Sequence, residues 1–424
     1  MEVDPPKLTR AWVLHPELKF DNSRRPPVAA LAEAVALASA MPQMDIIGSE
    51  IVTLRAVRAG MLFGKGKTRD LKACFENNEI ELVLIDGVLS PVQQRNLEEE
   101  WGVKILDRTG LILEIFSDRA RTREGVLQVE MAALSYQRTR LVRAWTHLER
   151  QRGGLGFVGG PGETQIEADR RAIDDAIGRI KRQLSKVVKT RELHRASRKK
   201  VPFPVVALVG YTNAGKSTLF NRLTGSKVFA KDMLFATLDP TMRSVGLPSG
   251  QEIILSDTVG FISELPTELV AAFRATLEEV LDADLVIHVR DISHDDTAAQ
   301  ARNVATILQQ LGVAEDAAMI EVWNKTDLLP SDDQAAVIEK ATRRDDKFAI
   351  SSITGQGLDE LLVAISENLT DPKTERELLI PFSDGRKRAW LFQEALVTDE
   401  QSTEDGFKVN VLWTARQEKH FREM

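Results

Sequence analysis

The stretch Gly210-Tyr-Thr-Asn-Ala-Gly-Lys-Ser217 decides the fold of this chain of 424 residues. It follows an apolar run at 205–209 and precedes 218–223, which the pattern predicts as a helix. A strand, a G-x-x-x-x-G-K-[ST] loop and a helix in this order are typical of a phosphate-binding loop, in which backbone N–H groups surround a β-phosphate. Lys216 would reach the β- and γ-phosphates, and Ser217 would present its hydroxyl to Mg²⁺.

Three further motifs follow strand-like runs downstream of this loop. Asp257-Thr-Val-Gly260 can hold Mg²⁺ through water and offer a backbone N–H to a γ-phosphate. In Asn324-Lys-Thr-Asp327, the last carboxylate can accept two hydrogen bonds from the N1–H and N2–H₂ edge of guanine, which adenine cannot supply. Ser351-Ser-Ile353 can complete the base pocket through backbone N–H groups. Motifs in this order, each at a strand end, predict a GTPase domain over residues 201–370.

The segment Phe235-Ala-Thr-Leu-Asp-Pro-Thr241 lies between the phosphate loop and Asp257, where a first switch segment belongs. One of its threonines would coordinate Mg²⁺ in the GTP state and leave after hydrolysis. Thr237 and Thr241 both qualify by position, and Thr237 is favoured.

Two positions bear on the rate of hydrolysis. Phe261 stands where Ras-like enzymes carry the glutamine that positions the attacking water. Because phenylalanine cannot hydrogen-bond water, we expect hydrolysis that is slow alone and depends on a partner, a conformational change or another polar group. Asn213 occupies the loop position at which some GTPases hold K⁺, so K⁺ is a candidate cofactor beside Mg²⁺.

The predicted site combines the phosphate loop, the switch segment, the Asp257 segment and the two base loops. Its nucleotide-binding residues are Gly210, Tyr211, Thr212, Asn213, Ala214, Gly215, Lys216, Ser217, Thr218, Phe235, Ala236, Thr237, Leu238, Asp239, Asp257, Thr258, Val259, Gly260, Asn324, Lys325, Thr326, Asp327, Ser351, Ser352 and Ile353. The predicted catalytic residues are Lys216, Thr237 and Gly260. The predicted Mg²⁺ ligands are Ser217, Thr237 and Asp257.

Composition excludes several classes of protein. Hydrophobic residues make up 43% of the chain and charged residues 28%, as in a globular protein. The 56 basic and 63 acidic residues leave a formal charge of −7, which argues against general polyanion binding. The single cysteine, Cys74, excludes an intrachain disulfide framework. No uncharged run approaches the ~20 residues of a membrane span and no signal core begins the chain. We therefore expect a cytoplasmic monomer without an integral membrane segment.

Residues 1–110 are predicted to form a small α/β unit with a mostly parallel sheet, because short apolar runs alternate with helical stretches. The predicted strands lie at 11–14, 51–54, 81–85 and 103–106, and the predicted helices at 27–41, 68–77 and 91–101. Gly64-Lys-Gly-Lys-Thr68 resembles a phosphate loop but lacks the spacing. We interpret it as a basic helix start, with a second nucleotide site or an RNA phosphate contact left open.

Residues 111–200 carry two helical stripes separated by the glycine-rich stretch 153–162, which no helix would tolerate. This pattern predicts an antiparallel helical hairpin with a glycine-rich tip and a basic linker. A one-sided basic excess indicates contact with structured RNA that is recognised by its shape. The basic residues assigned to the outer faces include Arg119, Arg121, Arg123, Arg138, Arg140, Arg143, Arg150, Arg152, Arg170, Arg171, Lys181, Arg182 and Lys186.

Residues 371–424 are predicted to form a small C-terminal α+β unit, with strands at 377–380 and 407–413 and a helix near 385–396. The predicted fold class is therefore α/β: a phosphate-loop GTPase domain with an N-terminal parallel α/β unit, a helical hairpin and this appendix.

These residues together resemble the HflX family of translational GTPases over most of the chain. The phosphate loop, Phe235-Ala-Thr-Leu-Asp239, Asp257-Thr-Val-Gly-Phe261 and Asn324-Lys-Thr-Asp327 match the family in the GTPase domain. Outside it, Asp107-Arg-Thr-Gly-Leu-Ile-Leu-Glu-Ile-Phe116 and Gly162-Glu-Thr-Gln-Ile-Glu-Ala-Asp-Arg-Arg171 are similar to its own signatures. Ser351-Ser-Ile353 departs from the commoner Ser-Ala-Lys.

The resemblance implies a factor that binds the large ribosomal subunit, including its RNA, and splits stalled or idle ribosomes under stress. The N-terminal unit and the hairpin would face ribosomal RNA, and the ribosome would stimulate hydrolysis. Such a protein would be partly ribosome-associated. Whether hydrolysis drives splitting or only the later release of the factor stays open.

Two other readings of the residues stay open. One is a GTPase that acts beside a separate RNA-modifying subunit, for which Asn213 fits equally well but the hairpin does not. The other is a protein-only regulator whose hairpin binds a partner helix.

Overall fold

The computed structural model describes residues 8–19, 25–151, 165–198, 203–226, 234–235, 241–263, 279–314, 317–369, 373–394, 396–403, 406–414, 417–418 and 421–422, without the side chains of 142–151, 165–166 and 188–198. The predicted glycine-rich tip and the switch residues Ala236, Thr237, Leu238 and Asp239 lie outside this description. Two compact units are present: residues 1–246 with 252–361, and residues 247–251 with 362–424. The finer division into four domains stays a prediction. No helix in the described ranges combines the length and apolar character needed to cross a bilayer.

The first sheet confirms the predicted parallel α/β unit. Its strands are β1 (Thr9–Leu18), β2 (Met44–Leu54), β3 (Leu82–Ile85) and β4 (Lys104–Asp107), all parallel in the order β2-β1-β3-β4. The helices between them are α1 (Pro27–Ser39), α2 (Lys65–Asn77) and α3 (Pro91–Trp101). Apolar strand residues such as Leu14 and Val83 are fully buried. Burial on both faces explains the continuous apolar run of the short strand β3, whereas the longer β2 carries exposed residues such as Asp45 and Thr53.

The N-terminus of α2, which contains the Gly64–Thr68 stretch, is held by contacts within the protein. Lys67 pairs with Glu50 of β2, and the Thr68 hydroxyl donates to the Gly64 carbonyl at 3.0 Å. The lysine that resembled a phosphate ligand is thus engaged by a carboxylate. This arrangement favours the helix-start interpretation over a second nucleotide site.

Three helices follow the first sheet: α4 (Arg108–Arg119), α5 (Arg123–Gln151) and α6 (Gln165–Arg198). Helix α4 spans the predicted boundary at residue 110, and its Ile112, Ile115 and Phe116 are fully buried. Helices α5 and α6 pack together as the predicted hairpin, with Arg138 of α5 paired to Asp174 of α6 at 3.0 Å.

Two arginines that the sequence analysis assigned to the outer basic faces are structural instead, and this assignment was wrong for them. Arg140 contacts Asp107 at 3.2 Å and also bonds the side chains of Gln94 and Tyr136. Arg119 donates to the Ala40 carbonyl at 3.0 Å. A helical stripe in the sequence could not show this, because the partners come from the first sheet and its helices.

The second sheet is built around the phosphate-loop strand. Its strands are β5 (Val205–Gly210), β6 (Thr241–Gly246), β7 (Glu252–Asp257), β8 (Leu285–Asp291), β9 (Met319–Asn324) and β10 (Lys347–Ala349), in the order β10-β9-β8-β5-β7-β6. Only β6 runs antiparallel among these strands. The described helices are α7 (Lys216–Thr224), α8 (Thr297–Leu311), α9 (Ser331–Thr342) and α10 (Leu358–Leu369). The carboxyl ends of β5, β7 and β9 meet at one sheet edge, where ligands of such sheets bind.

The described residues of the C-terminal unit include an antiparallel sheet and a helix, as the α+β prediction requires. It contains β11 (Lys373–Ile380), α11 (Gly385–Gln393), β12 (Val397–Ser402) and β13 (Phe407–Thr414), in the strand order β11-β13-β12. Trp413 and its β13 neighbours Val409 and Val411 form its core. The edge strand β12 was not predicted, because Val-Thr-Asp-Glu-Gln-Ser has no run of apolar residues.

A cluster of charges joins β8, β9 and β10. Glu321 accepts hydrogen bonds from the Trp323 indole at 2.6 Å and the Lys347 ammonium at 2.7 Å, and it also pairs with Arg290. Burial opposes ionisation of Glu321, but these donors and the Arg290 charge outweigh it and lower the pKa of the carboxyl to about 2. The ionised carboxylate therefore stabilises the fold.

We expect Glu321→Gln to lower the free energy of unfolding by about 1–3 kcal/mol at neutral pH, because charged hydrogen bonds become neutral. The folded pKa lies below the ordinary 4.5, so the contribution is complete above pH 4.5 and is lost as the pH falls towards 2. The difference between wild type and variant in thermal unfolding should therefore shrink below pH 4.5. Glu339→Gln, at an exposed pair with Arg343, is the control and should change stability by less than about 0.5 kcal/mol. An effect at position 321 no larger than the control's would contradict the assigned role.

Candidate functional site

The phosphate loop has a backbone that side chains would obstruct. Gly210 and Gly215 adopt φ of +152° and +91°. A Cβ at position 210 would lie 2.1 Å from the Val289 carbonyl oxygen, and one at position 215 would lie 2.2 Å from the Asn324 amide nitrogen. Asn213 also has positive φ, at +58°, a region that asparagine tolerates better than most residues. The loop runs directly into α7, whose first N–H groups suit a phosphate.

Lys216 is folded back onto this loop. Its ammonium donates to the carbonyl oxygens of Tyr211 at 2.9 Å and Gly210 at 3.2 Å. Burial lowers the pKa of the ammonium to about 8, and the nearby Asp257 charge opposes that shift. A buried cation at the loop is the arrangement that phosphate oxygens would complete.

Two predicted metal ligands lie side by side. The Ser217 hydroxyl donates to the Asp257 carboxylate at 2.7 Å, at the junction of α7 with the end of β7. A hydroxyl and a carboxylate are the hard oxygen ligands that Mg²⁺ prefers, so this pair fits the ion. The alternative switch residue Thr241 starts β6 and pairs with Asp257 in the sheet register.

The segment that ends in Gly260 and Phe261 is held against the phosphate loop. The Phe261 N–H donates to the Gly210 carbonyl at 3.1 Å, and the Thr212 N–H donates to the Phe261 carbonyl at 2.7 Å. A Cβ on Gly260 would lie 2.8 Å from Thr212 and 3.0 Å from the Lys216 ammonium. Upstream, the Thr258 hydroxyl donates to the Leu208 carbonyl at 2.6 Å, while Val259 is buried. Close packing therefore requires glycine at this position.

Phe261 is a buried core residue whose side chain has no polar group. Its side chain is 1% exposed and shares a core with Tyr211 and Phe235. Phe235 packs edge-on against Phe116 of α4, with ring centroids 4.6 Å apart. Phe261 thus fixes the position of its segment while supplying no group that could orient water.

The predicted base loops are tied to the phosphate loop through Asn324. Its amide donates to the Ala214 carbonyl at 2.8 Å, and its amide oxygen accepts from the Ser352 N–H at 3.0 Å and hydroxyl at 2.9 Å. The Ser351 hydroxyl donates to Asp327 at 2.5 Å, which orients the carboxylate predicted to select guanine. Ile353 is 68% exposed, so its side chain makes little contact with the protein.

The two residues between Asn324 and Asp327 shape the same loop. Lys325 adopts φ of +66° and pairs with Asp291 at 2.8 Å. Both the N–H and the hydroxyl of Thr326 donate to the Ile350 carbonyl, at 3.2 and 3.0 Å. The structure thus brings together the phosphate loop with the start of α7, the Asp257 segment and both base loops. Their assignment to nucleotide stays a prediction.

A polar cluster beside the phosphate loop was not predicted from the sequence. We call it the clamp, and it consists of Glu33 of α1, Arg108 of α4, Tyr211 and Ser263. Arg108 donates to the Ser263 carbonyl at 2.9 Å and pairs with Glu33. Tyr211 donates its hydroxyl proton to Glu33 and accepts from the Ser263 N–H at 2.7 Å. The available signal was an arginine that begins an apolar helix, Arg108-Thr-Gly-Leu-Ile-Leu.

Burial and neighbouring charges shift the pKa values of two clamp residues, Tyr211 and Arg108. Burial, together with the Glu33 charge, raises the pKa of the Tyr211 hydroxyl. Burial alone would lower the pKa of Arg108, but the carboxylates of Asp86 and Glu33 raise it. The guanidinium therefore stays charged and the hydroxyl stays protonated around neutral pH.

Four family models match successive parts of the chain. They are described as GTP-binding GTPase N-terminal (residues 28–117), GTP-binding GTPase Middle Region (119–198), 50S ribosome-binding GTPase (205–325) and HflX C-terminal domain (336–422). Together they cover most of the chain from residue 28 to residue 422, and strand β1 lies before the first match.

Three curated relatives are similar to this chain over most of its length. The chain is 46% identical to the GTPase HflX of Magnetococcus marinus, over 95% of this chain and 91% of that protein. It is 45% identical to the GTPase HflX of Escherichia coli, over 81% and 80% of the two chains. For the GTPase HflX of Caldanaerobacter subterraneus the identity is 43%, over 89% and 86%.

We expect Gly260→Ala to weaken binding of a non-hydrolysable GTP analogue about tenfold, because the added methyl group would force this segment away from the phosphate loop. Binding of GDP, which has no γ-phosphate to meet the residue 260 N–H, should change less than about threefold. Fluorescence titration with labelled nucleotides measures both. Gly246→Ala, where a Cβ meets nothing within 4 Å, is the matched control. Equal analogue affinities for the two variants would refute the proposed role of Gly260.

Proposed function

The chain belongs to the HflX family of GTPases, and we propose that it is a GTP-hydrolysing factor that binds the large ribosomal subunit and splits or rescues stalled or idle ribosomes in the cytoplasm. The observation that carries this proposal is the match of residues 205–325 to the family described as 50S ribosome-binding GTPase. The matches to HflX-type N-terminal, middle and C-terminal regions support it, because they extend beyond the nucleotide domain.

Each group at the sheet edge has a distinct role in the proposed reaction. Lys216 would bind the β- and γ-phosphates, and the Gly260 N–H would hold the γ-phosphate. Ser217, with Asp257 acting through water, would hold Mg²⁺, and Thr237 would add a ligand in the GTP state. Mg²⁺ held by these residues would supply positive charge that offsets the negative charge developing on the phosphate oxygens. Asp327, oriented by Ser351, would select guanine.

The site supports a reaction that needs help from outside. Phe261 cannot orient the attacking water, so we propose that the intrinsic rate is low and that the large subunit raises it. The position of Asn213 favours K⁺ as a second cation, since this residue brings a side-chain amide oxygen to the loop that would surround the phosphates. A K⁺ ion there would supply positive charge that an arginine finger provides in other GTPases.

The hairpin supplies the surface that we propose for ribosomal RNA. On α6, Arg170, Arg179, Lys181 and Arg182 are exposed, in a chain whose overall charge is −7. Local positive charge on the exposed face of a long helix suits phosphate contacts that follow RNA shape. Arg140 is not part of this surface, because it is committed to Asp107.

The first test is GTP turnover with and without purified large ribosomal subunits, in K⁺ and in Na⁺. We expect stimulation by the subunit of at least about tenfold, because the complex must supply what Phe261 lacks. The stimulated rate should be about tenfold higher in K⁺ than in Na⁺. Asn213→Gly keeps the positive φ of this position and should remove the preference for K⁺ while GDP binding persists. A GTP turnover rate that does not change when large subunits are added would contradict the proposed ribosomal partner.

Reversing two charges on α6 tests the RNA surface. Lys181→Glu with Arg182→Glu should weaken binding to the large subunit about tenfold or more and flatten its salt dependence, because fewer counterions are released. Arg343→Glu with Arg344→Glu, on an exposed part of the GTPase domain, is the matched control. Co-sedimentation at several salt concentrations measures binding, and GDP affinity should stay unchanged in both. Undiminished binding would favour the protein-only alternative for the hairpin.

A further inference from the structure

Asp107 and Arg108 are consecutive residues whose side chains serve different parts of the molecule. Asp107 accepts from the Tyr136 hydroxyl at 2.7 Å and from Arg140 at 3.2 Å, both on α5 of the hairpin. Arg108 belongs to the clamp, where it bonds Glu33 and Ser263, and it also donates to Asp86 at 2.6 Å. One backbone step therefore joins the hairpin contacts to the clamp.

The clamp in turn touches both segments that would meet the γ-phosphate. Tyr211 follows Gly210, and the carbonyl oxygens of these two residues hold the Lys216 ammonium. Ser263 lies two residues after Phe261, and its hydroxyl lies 2.6 Å from the Tyr211 hydroxyl. Glu33 is the charged group that anchors this hydroxyl, and it comes from α1 beside the first sheet, outside the GTPase sheet.

Burial makes the clamp sensitive to the loss of any member. Arg108 is 4% exposed, and the Glu33 side chain is 11% exposed and is also paired with Arg25 at 2.8 Å. Buried ion pairs contribute little net stability, because desolvation opposes their attraction. They do favour one arrangement of their partners over others, since a displaced charge would be left uncompensated. A network of this kind is suited to positioning.

We propose that Glu33 is a positioning residue for GTP hydrolysis, which holds Tyr211 and Ser263 so that the phosphate loop and the segment after Gly260 keep their productive spacing. Through Arg108 and Asp107, the same network makes this spacing depend on the position of helix α5. The second statement rests on the proposed function, because it assumes that the hairpin meets the ribosomal subunit. The first does not.

Two substitutions probe the two sides of the clamp. Glu33→Gln keeps the size and an acceptor oxygen but removes the charge, and Tyr211→Phe removes only the hydroxyl. We expect each to lower the basal kcat about tenfold, with KM for GTP and the affinity for GDP changed less than about threefold. The double variant should be no slower than the slower single variant, because both changes break the same connection. Glu339→Gln, at its exposed surface pair, is the control and should leave kcat and KM unchanged.

A structural role alone would give another pattern. It would lower the unfolding temperature, leave kcat per folded molecule unchanged and make the two substitutions additive, and this result would overturn the proposal. A faster basal reaction would also overturn it, because the clamp would then restrain hydrolysis. Tyr211→Phe, which introduces no new polar group, keeps the test decisive if Glu33→Gln does not fold.

Tyr136→Phe tests the connection to the hairpin, because it removes the hydroxyl that donates to Asp107. Tyr136 and Tyr211 are the two tyrosines of the chain, and they lie at opposite ends of the network. We expect this variant to keep the basal kcat and to bind large subunits, but to lose at least about tenfold of their stimulation. Full stimulation would overturn the connection through Asp107. If subunits do not stimulate even the wild type, the proposed ribosomal function fails, while the basal rates of the Glu33 and Tyr211 variants still decide the positioning role.

Discussion

The parallel pairing of β5 with β7 on one side and β8 on the other is the constraint on which the nucleotide site depends. Parallel strands end at the same sheet edge, so the phosphate loop, Asp257 and Asn324 meet there although they are far apart in the chain. The strands lie so close that Gly210 faces the Val289 carbonyl without room for a side chain. Gly210 is thus needed for packing between strands, apart from its predicted role in phosphate binding.

Polar side chains then connect the loops that this edge brings together. Asn324 is bonded both to the phosphate loop and to Ser352, so the predicted base pocket and phosphate site share one amide. Ser217 and Asp257 join the start of α7 to the end of β7. Because buried donors and acceptors are costly to leave unpaired, these contacts hold the loops in register.

The environment of the site extends beyond the GTPase sheet. Phe116 of α4 packs on Phe235, and Glu33 and Arg108 bond to Tyr211 and Ser263. Apolar and ionic contacts from the first sheet and its helices thus bear on the segments that flank the phosphates. Asp107, at the end of β4, in turn contacts Arg140 of α5. A basic residue on the hairpin can therefore be a structural anchor or an exposed charge, and composition does not distinguish them.

The sequence by itself determined the features that depend on neighbouring residues. Apolar runs placed the strands of the first sheet and the parallel strands of the second, but not the antiparallel β6. Glycine at 210 and 215 with Lys216 and Ser217 placed the phosphate loop, because backbone conformation and strand burial leave local patterns. Only the tertiary structure decided the clamp, the Ser351–Asp327 bond and the structural role of Arg140. These contacts join residues distant in the chain, and a single buried Glu or Arg has no periodicity that names its partner. Strand β12 was missed for a related reason: its pairing with β13 comes from backbone hydrogen bonds, which its polar side chains do not reveal.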